Sequence, residues 1–186
     1  MWNGPTWPHA TSVILDIAAI AIRQYDQRHI TPDVFWRMFD RYTHVQFEGD
    51  DLDKPLVQEY FDAETAFPEG VPDYFHSTYC DLVIRHLVGI QPSNSNALNI
   101  SPIAGPFERF ALRGLKYRGH ELDVVYNNTG DMQYGPRGLG VWIDGKLAGR
   151  RSSLGAIQVK LPEDESAKRR APRPELDIYG NEIRPE

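Results

Sequence analysis

Two indoles, an amide and an imidazole crowd around two prolines in Trp2-Asn-Gly-Pro-Thr-Trp-Pro-His9. Flat ring faces beside hydrogen-bonding groups suit a sugar, which presents C–H on its faces and hydroxyls on its rim. Trp2 and Trp7 would supply the faces, Asn3 and His9 the hydrogen bonds, and the prolines a stiff loop. A solvated leader gains nothing from such aromatics; the alternative is that both indoles fill a core. A second group is Val57-Gln-Glu-Tyr-Phe-Asp-Ala-Glu-Thr65, where apolar and aromatic neighbours flank Glu59. Partial desolvation of that kind can tune a carboxylate into a general base, with an ordinary solvated loop residue as the alternative. A third aromatic cluster with polar tips, Asp73-Tyr-Phe-His-Ser-Thr-Tyr-Cys-Asp81, carries His76, whose alternative is a hydrogen-bonded structural role.

Other chemistries lack their patterns. None of the six histidines has a second one four residues away, so no zinc site is expected. There is no Gly-x-Ser-x-Gly elbow, phosphate-cradling loop or dinucleotide fingerprint, and no cofactor is expected. The single cysteine, Cys80, excludes an intrachain disulfide, fits a reducing compartment, and is expected to be an inert buried thiol.

The chain has 186 residues, 41% hydrophobic and 25% charged, the balance of a globular protein. A formal net charge of −6 argues against a nucleic-acid partner, which would call for a basic stripe. The apolar run Val13 to Ile22 is interrupted by Asp16 and is shorter than the about 20 residues that span a bilayer. It has no basic leader either, so no membrane or secretion signal is expected and the cytoplasm is favoured.

The elements that must position these groups change character along the chain. Thr11 or Ser12 can cap a helix to about Gln27, apolar over so much of its circumference that it should lie between neighbours. Thr31-Pro-Asp33 starts a second helix carrying Val34, Phe35, Met38, Phe39 and Tyr42. A long polar connection from about Glu48 to Tyr74 precedes a third helix, about Ser77 to Leu87, ended by Gly89. After Gln91 the expectation is strands at Phe107–Leu115, Glu121–Asn127, Gly140–Ile143 and Ala156–Leu161. Asn127-Asn-Thr-Gly130 and Asp144-Gly145 are hairpin signals, and Gly135-Pro-Arg-Gly-Leu-Gly140 reads as a hairpin connection. The expected organisation is a helical part, residues 1–92, an antiparallel β part, residues 93–162, and a charged tail, residues 163–186.

The three ordered motifs, Trp2 to His9, Glu59-Tyr-Phe-Asp-Ala-Glu-Thr65 and Asp73 to Ile84, resemble the C-terminal part of (α/α)6-barrel, or six-hairpin, glycosidases. The nearest pattern is glycoside hydrolase family 63 and the mannosylglycerate hydrolase-like enzymes. The resemblance implies an α+β fold: the last helical hairpins of an incomplete barrel, then a small antiparallel β-sheet or sandwich. It implies inverting, exo-acting hydrolysis of small glycosides or oligosaccharides, with Glu59 as general base. Trp2, Asn3, Trp7, His9, Tyr60 and His76 would line the substrate site. The motif departs from the family at Ala66, where glycine commonly follows the threonine. The family's general acid lies upstream of the tryptophan motif and has no counterpart here, so the chain is expected to be a fragment, inactive alone. The missing N-terminal portion, or another chain, would cover the exposed helical face. A non-catalytic carbohydrate-binding or protein-interaction subunit is the alternative.

Overall fold

The structure, a computed structural model, describes residues 4–74 and 78–163. Trp2, Asn3, His76 and the expected tail therefore fall outside the described residues, apart from Glu163.

Helix α1, Pro8–Gln24, begins earlier than its polar residues suggest, because Pro8 occupies the first turn with Trp7 as N-cap. Thr11 and Ser12 do not cap it; their hydroxyls donate back to the carbonyls of Trp7 and Pro8 inside the helix, at 3.0 and 2.9 Å. Helix α2, Pro32–His44, starts where Thr31-Pro32 places it, the Thr31 hydroxyl accepting from the Val34 N–H. Leu15, Ala18 and Ala19 of α1 bury against Phe35, Trp36, Phe39 and Tyr42 of α2, with Leu82 and Ile103 completing this core. The Trp36 indole donates to the Ala104 carbonyl and meets Phe107 edge-on.

Helix α3, Tyr79–Leu82, is a single turn that widens into a π-helical turn, Val83–Val88. Gly89 ends it at φ +91, and a Cβ there would stand 2.2 Å from the Pro102 nitrogen. Cys80 is exposed on α3, contrary to the buried thiol expected of it, because so short a helix buries only Leu82.

Beyond Gly89 two antiparallel sheets face each other. The smaller holds β3 (Ile90–Gln91), β4 (Ala97–Ile100) and β9 (Ile157–Lys160) in the order β3-β4-β9. The larger runs β5 (Arg109–Tyr117), β6 (His120–Asn127), β7 (Gly138–Ile143), β8 (Lys146–Arg151). Alternate residues Leu122, Val124, Tyr126 and Leu139, Val141, Ile143 face Leu98, Ile100, Val159 and Leu161 across the second core. Asp144 and Gly145 turn β7 into β8 with φ of +51 and +75, as the dipeptide leads one to expect. Gly138 to Gly140 is strand rather than connection.

The segment expected to be an irregular connection contains a third sheet, the hairpin of β1 (Gln58–Phe61) and β2 (Pro68–Pro72). With it the barrel expectation fails: the described residues form small antiparallel sheets with three short helices, not the last hairpins of an (α/α)6 barrel. Helical periodicity is sustained only in α1 and α2, and the chain between α2 and α3 pairs as strands. Among the described residues no helix is long and apolar enough to cross a membrane. Nor is α1 enclosed on all sides: Leu15 is buried, whereas Val13, Ile14 and Ile17 are 45, 53 and 59% exposed.

One polar network joins the helical core to the sandwich. The Arg23 guanidinium donates to His86 Nδ1 at 2.8 Å, to the Arg85 carbonyl at 3.0 Å and to the Ser101 carbonyl at 2.9 Å. Because Nδ1 accepts, the neutral ring carries its proton on Nε2 and donates it to Asp16 Oδ1 at 2.9 Å. Arg85 pairs with the same oxygen at 2.7 Å. Burial, and then the Arg23 charge, push the His86 pKa down to about 4. The unfolded chain therefore takes up a proton near pH 6.5 that the folded chain refuses until about pH 4. This contribution is complete above pH 6.5 and is lost as the pH falls toward 4. It amounts to about 3 kcal/mol, and urea unfolding across that window should show the slope. His86→Gln, which cannot titrate, should flatten it; an equal slope in the variant would assign the effect elsewhere.

Candidate functional site

Chain segments more than fifty residues apart meet at the hairpin. Thr6 forms a bridge with Phe61, its N–H donating to the Phe61 carbonyl at 2.7 Å and its carbonyl accepting at 3.0 Å. Thr6 of the tryptophan motif thus lies beside the end of β1 just before α1 begins. The Trp7 ring packs on Tyr60 with centroids 4.7 Å apart and planes tilted by 33°. Tyr60 lies over Gly70 of β2, where a Cβ would come within 2.6 Å of the Tyr60 ring and 2.7 Å of Glu59 Oε2, at φ +77. Only glycine fits that position.

Glu59 is half-buried, and its Oε2 accepts from the Val71 N–H at 3.1 Å across the irregular register of the two strands. Buried Gln58 donates to the Glu69 carbonyl at 2.7 Å. The turn after β1 is set by Asp62, whose Oδ1 accepts from the Thr65 hydroxyl and the N–H groups of Thr65 and Glu64. Those bonds, the Thr65 hydroxyl foremost, hold its carboxyl below the usual range. Ala66 follows at φ +57, a left-handed conformation that favours the glycine the resemblance expects there.

The structure thus brings together Trp7, Tyr60 and Glu59. His9 is exposed in the first turn of α1. Trp2, Asn3 and His76 lie outside the described residues, so their part in the site is not described.

Beside the hairpin turn runs an open groove of about 950 Å³, between Asp62 to Pro68 and the C-terminal half of α2. It takes in neither Trp7, Tyr60 nor Glu59. Its rim carries Asp40, Arg41, Asp62 and Thr65, and His44 stands between Asp40 at 3.6 Å and Asp50 at 3.0 Å. Asp62 and Thr65 belong to the motif singled out in the sequence, whereas Asp40, Arg41, His44 and Asp50 carry no such mark beyond the four-residue spacing of Asp40 and His44. Among the described residues no cluster of three or more His, Cys, Asp or Glu could hold a metal ion.

No family model matches the chain. It is similar to a solved sialidase, with 28% identity over 88% of this chain and a TM-score of 0.76. The chain spans 15% of that sialidase's length. The likeness to a glycoside hydrolase supports a glycosidase-like fold; neither family 63 nor an (α/α)6 barrel draws support from it.

Gly70→Ala should lower stability by about 1–3 kcal/mol, since it must displace Tyr60 and hold a left-handed alanine. Thermal unfolding and near-ultraviolet circular dichroism would read both effects. Ala66→Gly, by contrast, should leave stability equal or higher by up to about 1 kcal/mol.

Proposed function

We propose that this chain is the carbohydrate-recognising part of a glycoside hydrolase, with Trp7 and Tyr60 as the sugar platform and Glu59 as the general base. The observation that carries the reading is the Trp7–Tyr60 pair fixed beside Glu59 by the Thr6 to Phe61 bridge. Such a pair presents apolar ring surface next to a carboxylate, the two things a sugar's C–H face and hydroxyl rim require. The similarity to a sialidase supports the same class of chemistry. In an inverting hydrolysis Glu59 would take a proton from the attacking water. A second carboxylic acid, about 6.5–9.5 Å away, would protonate the leaving oxygen. That acid is assigned to the rest of the hydrolase, and the chain by itself is expected to bind sugar without turning it over.

The hydrogen bond from Val71 to Glu59 favours a second reading, in which Glu59 holds the hairpin and the module binds carbohydrate without catalysis. Intrinsic tryptophan fluorescence titrated with a panel of neutral and sialylated oligosaccharides separates these from no sugar role at all. Saturable binding is expected, weakened about tenfold or more in Trp7→Ala; flat titrations across the panel would end both readings. In a turnover-competent assembly, Glu59→Gln should cut kcat by about 10²–10⁴ with little change in sugar affinity if Glu59 is the base. Unchanged kcat would leave the binding module.

A further inference from the structure

The outer face of the larger sheet carries an aromatic ring that neither core uses. Leu139, Val141 and Ile143 of β7 point into the sandwich, so Gly140 and Trp142 between them point out. The six-membered ring of Trp142 lies over Gly140, where a Cβ would come within 2.4 Å of it. Glycine there lets the indole settle on bare main chain, which fixes the ring without enclosing it. Trp142 is half-buried, and among the described residues its indole N–H has no hydrogen-bond partner. Trp36, by contrast, is a core residue whose N–H is satisfied by the Ala104 carbonyl. Beside the ring the floor is low and apolar, with Val125 and Ala111 next to Gly140 across the ladder. One row along, the amide of buried Asn127 holds the Asp131 and Gly135 carbonyls at 2.9 and 2.7 Å, which folds the 128–137 loop against that end of the face.

Two guanidiniums flank this floor. Arg150 stands opposite Gly140 across β7 and β8 and donates to the Arg137 carbonyl at 2.8 Å. Arg109, opposite Asn127, lies 4.0 Å over the Tyr134 ring of the loop. Neither meets a carboxylate among the described residues, whereas Arg113 and Lys116 farther along β5 are matched by Asp123 at 3.7 Å and by Glu121. The surplus extends through the sandwich: residues 90–163 hold nine Lys or Arg against six Asp or Glu, while residues 1–89 hold six against fourteen.

We infer that this face is a second saccharide site, separate from the Trp7 platform, and that it takes a sugar bearing a carboxylate. The indole offers its ring to the C–H side of a pyranose and its N–H to a hydroxyl. Arg150 and Arg109 offer the charge-assisted hydrogen bonds that a carboxylate accepts. A nucleic-acid strand is a poorer occupant, because it stacks successive bases along a basic groove, and here one indole shares its face with Asp123 and Glu121. The inference stands on the sheet alone and does not require Trp7, Tyr60 or Glu59 to have the roles proposed for them.

The test follows the indole N–H signals of the nitrogen-labelled full chain by nuclear magnetic resonance, with Trp142→Phe assigning the signal of interest. Titrated with sialyllactose and with an oligogalacturonate, that signal should shift saturably with at least one of them, and lactose should bind about tenfold more weakly. Arg150→Gln, a change at the surface of an edge strand, should weaken the acidic sugar about two- to fivefold and leave lactose as it was. Trp142→Ala, with circular dichroism confirming its fold, should weaken every sugar about tenfold or more. A Trp142 signal that neither acidic sugar moves overturns the proposal. So does equal binding of lactose, or tighter binding of a single-stranded oligonucleotide of equal charge. Trp7→Ala run alongside separates the two sites: a response kept in that variant and lost in Trp142→Ala belongs to the sheet. The reverse pattern assigns the sugar to the hairpin platform and overturns the proposal.

Discussion

The guanidinium of Arg23 is the point at which the two cores are held in register. It reaches from the last turn of α1 to an imidazole, to the Arg85 carbonyl beside it and to Ser101, just past the end of β4. Charge taken out of water is costly unless every donor has a partner. Here the acceptors are two main-chain carbonyls and one ring nitrogen, and burial still lowers the Arg23 pKa to about 10. The arrangement holds only if His86 stays neutral and the π-helical turn keeps the Arg85 carbonyl pointing toward α1. The widened turn has a structural purpose on this account: it puts a carbonyl and a buried histidine on one side while Leu87 packs against both cores.

That commitment of charge has a consequence at the other side of the helix. Asp16 and Arg23 cannot serve both the inner network and solvation of the outer face, and the structure spends them inside. The exposed Val13, Ile14 and Ile17 are therefore tied to His86 by the same seventeen residues. A substitution that restored charge outside would leave the network intact, whereas one that removed Asp16 or Arg23 would strand a buried partner. The inner and outer faces of α1 answer to different requirements and can be separated by mutation.

What the sequence disclosed was local. Thr31-Pro32 as a helix start, Gly89 as a stop and Asp144-Gly145 as a turn each need only a few neighbouring residues to act, and each stands where its chemistry places it. The hairpin was hidden because its second strand is Pro-Glu-Gly-Val-Pro, whose prolines and glycine argue against a strand anywhere but at an edge. Strand β8 was hidden likewise: Lys146 and the two arginines at its end are edge-strand residues that blunt the alternation used to find strands. The pairing of Thr6 with Phe61 is a contact across more than fifty residues, and no propensity in either segment encodes it. Trp7 and Tyr60, which it brings together, stood out in the sequence because indole and phenol rings are poorly suited to a loop in water, and Glu59 stood out only by its place beside them.

A sugar platform works when its rings are fixed before the ligand arrives, since ordering two aromatic side chains on binding would consume part of the affinity. The hairpin meets that condition through its backbone. Gly70 lets Tyr60 lie against bare main chain, and the Thr6 bridge fixes where Trp7 begins its helix. Asp62 closes the turn tightly enough to hold Ala66 in a left-handed conformation. Glu59 shares in this rigidity by giving one oxygen to Val71. A general base needs a single oxygen aimed at a single water. A carboxylate anchored through one oxygen is better oriented for that task than one free to rotate, so the bond to Val71 limits what Glu59 can do and is compatible with the role proposed for it.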